Sequence, residues 1–268
     1  TTGVGRVFQT VENVFEKESD NQTQTYYDPC CGTGNFLQGL INKGIETNRV
    51  FGRDIDPDSV SITRINLFLL DDEVDAEILY RNISCENTLL LKPKRKYSVI
   101  LGNPPWGYEF SKEEIDELIG VYKTAKKKGI ESFNLFIEKA FNIIDENGII
   151  AYVLPESLLT VASHKKVRKI IVENSSFEFI NYMGNIFSGV QCPAIILGLR
   201  VNGLRETVGC TVNLNGELFL ISERREVSEN SLPFNMTDEE YLCLKNINSV
   251  KPCVFLKGNA DFALGIVT

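Results

Sequence analysis

The chain has 268 residues, 43% of them hydrophobic and 24% charged, an ordinary globular composition that accommodates one large domain or one domain and part of a second. A formal net charge of −8 argues against a protein that works only by gripping phosphates: either its partner is not a polyanion, or the gripping part lies outside this chain. No apolar run approaches a membrane span and residues 1–10 lack the layout of a signal peptide, so a cytoplasmic location is expected. The seven cysteines (Cys30, Cys31, Cys85, Cys192, Cys210, Cys243, Cys253) never fall in a Cys-x-x-Cys spacing, and His164 is the sole histidine. Buried reduced thiols are expected and a zinc site is not.

In chain order, short apolar stretches bounded by turn residues predict strands at 25–27, 49–52, 77–80, 97–101, 149–154, 177–183 and 194–200. Apolar residues recurring every three or four positions predict helices at 35–42, 57–70, 132–144 and 163–172, with Asn147-Gly148 ending the third of these. Strand–helix alternation of this kind implies an α/β fold with a doubly wound, mostly parallel sheet. No helix separates 177–183 from 194–200, so these two should pair antiparallel at one edge. Beyond Cys210 the pattern changes: residues 211–221 predict a hairpin around Asn215-Gly216, and 237–247 a short capped helix. A fresh strand-like pattern runs from 251 to 268, and no internal repeat is visible.

In an open parallel sheet, ligands bind outside the carboxyl ends of the strands, so the polar residues there carry the chemistry. The first strand leads into Asp28-Pro29-Cys30-Cys31-Gly32-Thr33-Gly34-Asn35-Phe36. Glycines in this turn permit close backbone approach, and the following helix start offers N–H groups to an anion. The second strand ends in Gly52-Arg53-Asp54-Ile55-Asp56. A carboxylate at Asp54 can accept both hydroxyls of a ribose, whereas Asp56 suits a helix cap, and Ile55 offers an apolar face to an adenine ring. A glycine turn followed by a ribose acid also occurs in NAD sites, but Leu37 stands where their third glycine belongs. The fourth candidate strand ends in Leu101-Gly102-Asn103-Pro104-Pro105-Trp106. Two prolines stop a strand and rigidly present their neighbours. The amide carbonyl of Asn103, the carbonyl of Pro104 and the flat face of Trp106 suit a planar amine, which needs two acceptors and a stacking surface.

Residues 28–36, 52–56 and 103–106, in this order, resemble the cofactor and catalytic motifs of gamma-class N6-adenine DNA methyltransferases of the type II and type IIG restriction–modification kind. The resemblance covers roughly residues 5–200 and implies a Rossmann-like class I methyltransferase domain that uses S-adenosylmethionine. Asparagine at position 103 is what the adenine-N6 group carries; cytosine-N4 enzymes usually have serine there. By the same resemblance Asp28, Pro29, Cys30, Gly32, Gly34, Phe36, Asp54 and Ile55 bind the cofactor. Residues 5–14 match the motif that touches its methionine carboxylate, with Gln9 in place of the usual first residue of a Thr-Pro pair. Asn87 takes the place of an acid that reads the adenine amino group, with Glu86 beside it as the alternative. Phe136 matches an aromatic that packs on the cofactor. Phe187, in the segment 182–199, matches the aromatic that contacts an extruded target base; a core position is the competing reading for it.

The resemblance implies site-specific methylation of N6 on a flipped adenine, with Asn103, Pro104, Pro105, Trp106 and Phe187 forming the catalytic pocket. Rival readings are a protein-glutamine or RNA amino-group methyltransferase, which share the Asn-Pro-Pro-aromatic motif, and a DNA-binding remnant without catalysis. The expected layout is a catalytic domain at 1–205, a hairpin and helix extension at 206–250, and the opening of a target-recognition domain at 251–268. Double-stranded DNA is the expected partner, held weakly without the rest of that recognition domain, and no membrane is involved. No Asp/Glu-x-Lys nuclease triplet occurs in the sequence, so a restriction endonuclease domain or subunit would lie elsewhere. Two basic clusters remain, Lys92/Lys94/Arg95/Lys96 and Lys123/Lys126/Lys127/Lys128. Both read as solvated surface, the second with a phosphate contact as its alternative.

Overall fold

The computed structural model of the protein describes residues 23–92, 95–186 and 192–250. The readings made above for Gln9 and the rest of 5–14, for Lys94, Phe187 and Cys253, and for 251–268 lie outside these residues.

Nine strands form one sheet in the order β3-β2-β1-β4-β5-β7-β6-β8-β9. They are β1 (Tyr26–Asp28), β2 (Val50–Asp54), β3 (Ile83–Cys85), β4 (Tyr97–Gly102), β5 (Ile144–Pro155), β6 (Ser176–Gly184), β7 (Ala194–Arg200), β8 (Thr211–Leu214) and β9 (Glu217–Leu220). The helices are α1 (Asn35–Asn42), α2 (Pro57–Leu70), α3 (Ala76–Asn82), α4 (Lys112–Val121), α5 (Ser132–Ile143), α6 (Lys165–Asn174) and α7 (Asp238–Ser249). From β1 the chain winds one way to β2 and β3 and the other way to β4 and β5, all parallel. The switch point between β1 and β4 opens a crevice at their carboxyl ends. This is the expected doubly wound, mostly parallel α/β fold.

Both faces of the sheet are covered, which is why its central strands are nearly continuous in apolar residues. Phe36, Leu37, Leu40, Val60 and Leu67 of α1 and α2 pack on Tyr26, Val99, Leu101 and Val153. On the other face Phe133, Ile137, Val167 and Ile171 of α5 and α6 pack on Tyr27, Ile100, Ile150, Tyr152 and Leu197. A third, smaller cluster joins Leu89, Leu118, Tyr122, Leu135 and Phe136 beside the crevice. Among the described residues no helix is long and apolar enough to cross a membrane.

Several expectations need correction. Residues 77–80 are helical: Asp75 caps α3 by accepting from the Glu77 N–H at 2.9 Å, and the strand follows at Ile83–Cys85. Apolar Ile78 and Leu79 in succession imitate a strand, but the buried positions are Leu79 and Asn82, three apart, as a helix face demands. The segment after Trp106 contains α4, started by a Ser111/Glu114 capping box. α5 stops at Ile143, and Asn147, left-handed at φ 61°, lies inside the irregular start of β5 instead of capping a helix. β6 and β7 do pair antiparallel, but not at the edge: β7 inserts between β5 and β6, and β6 takes β8 as a parallel neighbour. The hairpin at Asn215-Gly216, both left-handed, thus extends the sheet, and the compact unit runs to Phe234 past the expected boundary at 205. α7, in the second unit, opens with a Thr237/Glu240 capping box. The cysteines of the described residues are free thiols, yet Cys85 and Cys243 are exposed, not buried.

Candidate active site

The carboxyl ends of β1, β2 and β4 carry Asp28, Asp54 and Asn103, the three polar residues that the sequence singles out. Asp28 is wholly buried beneath the turn that follows β1. Its Oδ1 accepts from the Cys30 N–H at 3.0 Å, while Oδ2 has no partner. Burial pushes this carboxyl up to about 7, and the nearby Asp54 adds to the shift. Gly102 is required opposite: it has φ 153°, and a Cβ there would stand 2.6 Å from Asp28 Oδ1.

The glycine turn is held from several sides. The Asp54 carboxylate accepts the Gly32 N–H at 2.8 Å, and Thr63 Oγ1 donates to the Gly32 carbonyl at 2.7 Å. Gly32 and Gly34 are left-handed, at φ 51° and 83°, and Gly34 caps α1 without any side-chain bond, leaving N–H groups at that helix start. Asp56, not Asp54, caps α2, accepting from the N–H groups of Asp58 and Ser59 at 3.3 and 3.1 Å. Asp54 is thereby left to the crevice, although its Oδ1 also accepts from the Asp56 N–H at 3.0 Å.

A cavity of about 230 Å³ opens over this frame. Of the expected cofactor residues Pro29, Cys30, Asp54, Ile55, Asn87, Asn103 and Phe136 line it. Ile55 is 55% exposed there, as an apolar platform should be. Asp28, Gly32 and Gly34 hold the turn without lining the cavity, and Phe36 is turned away into the core with Leu37 and Leu40. Of the expected catalytic residues Asn103 and Pro105 line the cavity, whereas Pro104 and Trp106 do not. Asn87 Oδ1 already accepts from the Leu89 N–H at 3.0 Å, so only its second lone pair faces any ligand. Beside it Glu86 accepts from Arg53 Nε at 2.9 Å and Ser84 Oγ at 2.7 Å.

Asn103 is exposed and lines the cavity, and its amide bonds to none of the described residues. Pro104 is buried, and half-buried Trp106 packs against both main cores, which fixes its orientation. Sequence reasoning missed Ser132, the first residue of α5. Its hydroxyl donates to the Pro105 carbonyl and accepts from the Tyr108 N–H at 3.4 Å, tying the proline loop to the helix. It also missed Thr88, Leu89, Tyr108, Phe110 and Glu114, which complete the cavity wall. Only the capping-box spacing Ser111–Glu114 signalled that this segment was ordered.

Comparison with known proteins gives six further findings. The sequence profile of the Eco57I restriction-modification methylase family matches residues 48–187, more than half of the chain, and that of rRNA methyltransferase AviRa matches residues 5–80. Type II methyltransferase M.VspI of a Vibrio species is 29% identical over 249 residues, 91% of this chain and 59% of that protein. M.TthHB8I of Thermus thermophilus is 29% identical over 184 residues, 66% of this chain and 39% of that protein, so the chain spans less than two thirds of either relative. Among solved structures, the Type ISP restriction-modification enzyme LlaGI superposes with a TM-score of 0.64 at 18% identity, over 91% of this chain and 32% of that one. A Listeria monocytogenes structure assigned to the class I S-adenosylmethionine-dependent methyltransferases gives 0.61 at 19% identity, over 80% and 65%. At such identities the likeness shows the fold.

Proposed function

Because the chain belongs to the Eco57I restriction-modification methylase family, we propose that it transfers the methyl group of S-adenosylmethionine to the N6 amino group of an adenine extruded from DNA. The observation that carries this reading is the placement of Asn103, bonded to none of the described residues, at the end of β4 on a cavity that Asp54, Ile55 and Phe136 also line.

The residues fit the cofactor. Ile55, Leu89, Phe110 and Phe136 offer apolar contact to a purine, and Asp54 keeps lone pairs for ribose hydroxyls. Asp28, with one oxygen unpartnered, gives the β1 end an acidic bias that suits a ligand bearing sulfonium and ammonium charges. The cofactor would supply an electrophilic methyl group. The Asn103 amide carbonyl and the Pro104 carbonyl would accept the two hydrogens of the target amine, drawing its lone pair out of conjugation. Pre-positioning does the work, and no strong base is needed at the start. Trp106, locked by its packing on both cores, would form one wall of the base pocket, with Phe187 as the proposed second wall.

The match to rRNA methyltransferase AviRa ends at residue 80, before the proline loop, and so speaks to the cofactor half alone. A net charge of −8 and a span of 59% of M.VspI support a division of labour, with the main grip on the duplex made outside these residues. To test the reading, incubate the protein with radiolabelled S-adenosylmethionine and unmethylated DNA, then analyse the digested nucleosides by mass spectrometry. N6-methyl-2′-deoxyadenosine is expected from wild type and none from Asn103→Ala. Label in N4-methylcytosine, or undiminished transfer by Asn103→Ala, would refute the assignment.

A further inference from the structure

Lys92 and Arg95, read from the sequence as solvated surface, border a second cavity of about 190 Å³ on the sheet face that carries Tyr27, Phe51 and Tyr97. It shares Glu86 and Thr88 with the cofactor cavity. Among the described residues five cations line it, Arg53, Arg81, Lys92, Arg95 and Lys139, against the one carboxylate of Glu86. That carboxylate already serves Arg53 Nε and Ser84 Oγ, so among the described lining residues the other four positive side chains have no acidic counterpart of their own.

Lys139 makes this imbalance costly. It is 6% exposed, its Nζ donates to the Leu91 carbonyl, and among the described residues no ion pair joins it to a carboxylate. Burial and the Arg53 charge hold the ammonium down at about 8. A buried cation next to a second cation is an arrangement that an anion would relieve. The guanidinium groups are also set for a ligand. Arg95 lies over the Phe51 ring at 4.2 Å, which holds its plane and leaves its N–H edge to a ligand. Tyr27 stacks on Tyr97 at 4.3 Å, and Arg53 is fixed by donating Nε to Glu86 and Nη1 to both tyrosine hydroxyls at 3.5 Å, which leaves Nη2 for a ligand.

We propose that this cavity binds a phosphate-bearing anion, accepted jointly by Arg53, Arg95 and Lys139. Phosphate meets the demand better than a carboxylate, because it carries up to two charges and enough oxygens for the Arg95 fork, the remaining Nη2 of Arg53 and an ammonium. The anion could be a free phosphate compound or a backbone phosphate of a nucleic acid strand. Its seat against Glu86 places it one ion pair away from the cofactor cavity.

Titration of the protein with inorganic phosphate, followed by calorimetry at low salt, reads the site without using methyl transfer, so it fails or succeeds independently of the reading above. Saturable binding is expected, weakened at least about tenfold in Arg95→Ala and in Lys139→Met, and unchanged in Lys127→Ala, which removes a cation from the other cluster. Arg95 is exposed, so its variant reports even where replacing buried Lys139 disturbs folding. A short single-stranded oligodeoxynucleotide that displaces phosphate from wild type identifies a backbone phosphate; one that fails to displace it identifies a small phosphorylated ligand. Absence of saturable phosphate binding, or equal weakening in Lys127→Ala, overturns the proposal.

Discussion

Asp28 shows how one side chain can tune the site. Its carboxyl is buried, has one oxygen without a partner, and is held at about 7. Near neutral pH this carboxyl therefore exchanges between its protonated and ionised forms. A cofactor bearing positive charge favours the ionised form, so binding should release that proton. Affinity for S-adenosylmethionine is expected to rise as pH increases, by up to about tenfold per unit below 7, and to level off above it. Calorimetry in buffers of different ionisation enthalpy would show the proton release directly, and Asp28→Asn should flatten the dependence. A pH-independent affinity in wild type would separate Asp28 from the cofactor. Asp54 calls for more care, because it also holds the Gly32 N–H; loss of binding in Asp54→Ala would mix a ribose contact with a collapsed turn.

At the scale of the element, the start of α5 is what steadies the proline loop. Ser132 is fully buried, and its hydroxyl bridges the Pro105 carbonyl and the Tyr108 N–H. Ser132→Ala leaves both groups without that partner, which should cost about 1–3 kcal/mol of stability. The larger effect is expected on chemistry. A loop that positions Asn103 and Trp106 loses rate steeply when it shifts, so single-turnover methyl transfer should fall on the order of tenfold or more. Cofactor affinity, measured alongside, should change by a smaller factor. Equal losses in rate and affinity would mean that Ser132 acts through the cavity wall it lines and not through the loop.

Over the whole molecule two buried groups pull stability in opposite directions with pH. His164 is buried near Phe133, its Nδ1 3.2 Å from Asn134 Nδ2, and burial together with Arg168 and Lys126 lowers it to about 4. A depressed histidine stabilises the fold fully above its unfolded value near 6.5, and that contribution is lost as pH falls through about 4. Asp28 has the reverse sign. Its raised carboxyl favours the fold when protonated, so stability is gained as pH falls from about 7 towards its unfolded value of 3.8. Each spans on the order of 2–4 kcal/mol, and the two ranges overlap. Denaturant melts between pH 4 and 7 are therefore expected to be flatter for wild type than for either variant. Asp28→Asn should become acid-labile, while His164→Gln should gain stability on acidification. Parallel slopes in all three proteins would show that neither group governs the acid limb.

The sequence by itself determined the order of chemistry-bearing strand ends, because glycine turns, a capping aspartate and a double proline act through local backbone rules. Asp28, Asp54 and Asn103 could be placed at the ends of β1, β2 and β4 on that basis, and the doubly wound fold followed from alternation of short and long apolar periods. The register of details was not local. Ile78 and Leu79 suit a strand or a helix equally, and only packing of Leu79 with the Asp75 cap decided for α3. Phe36, adjacent to the glycine turn in sequence, faces the core because the direction of α1 is set by its contacts with β2 and α2. Ser132 and the cations of the second cavity come from segments 27 to 86 positions apart, counting Ser132 to Pro105 and Lys139 to Arg53. No periodicity in a single chain encodes such meetings; they arise when strands from distant segments align in one sheet and bring their loops to the same edge.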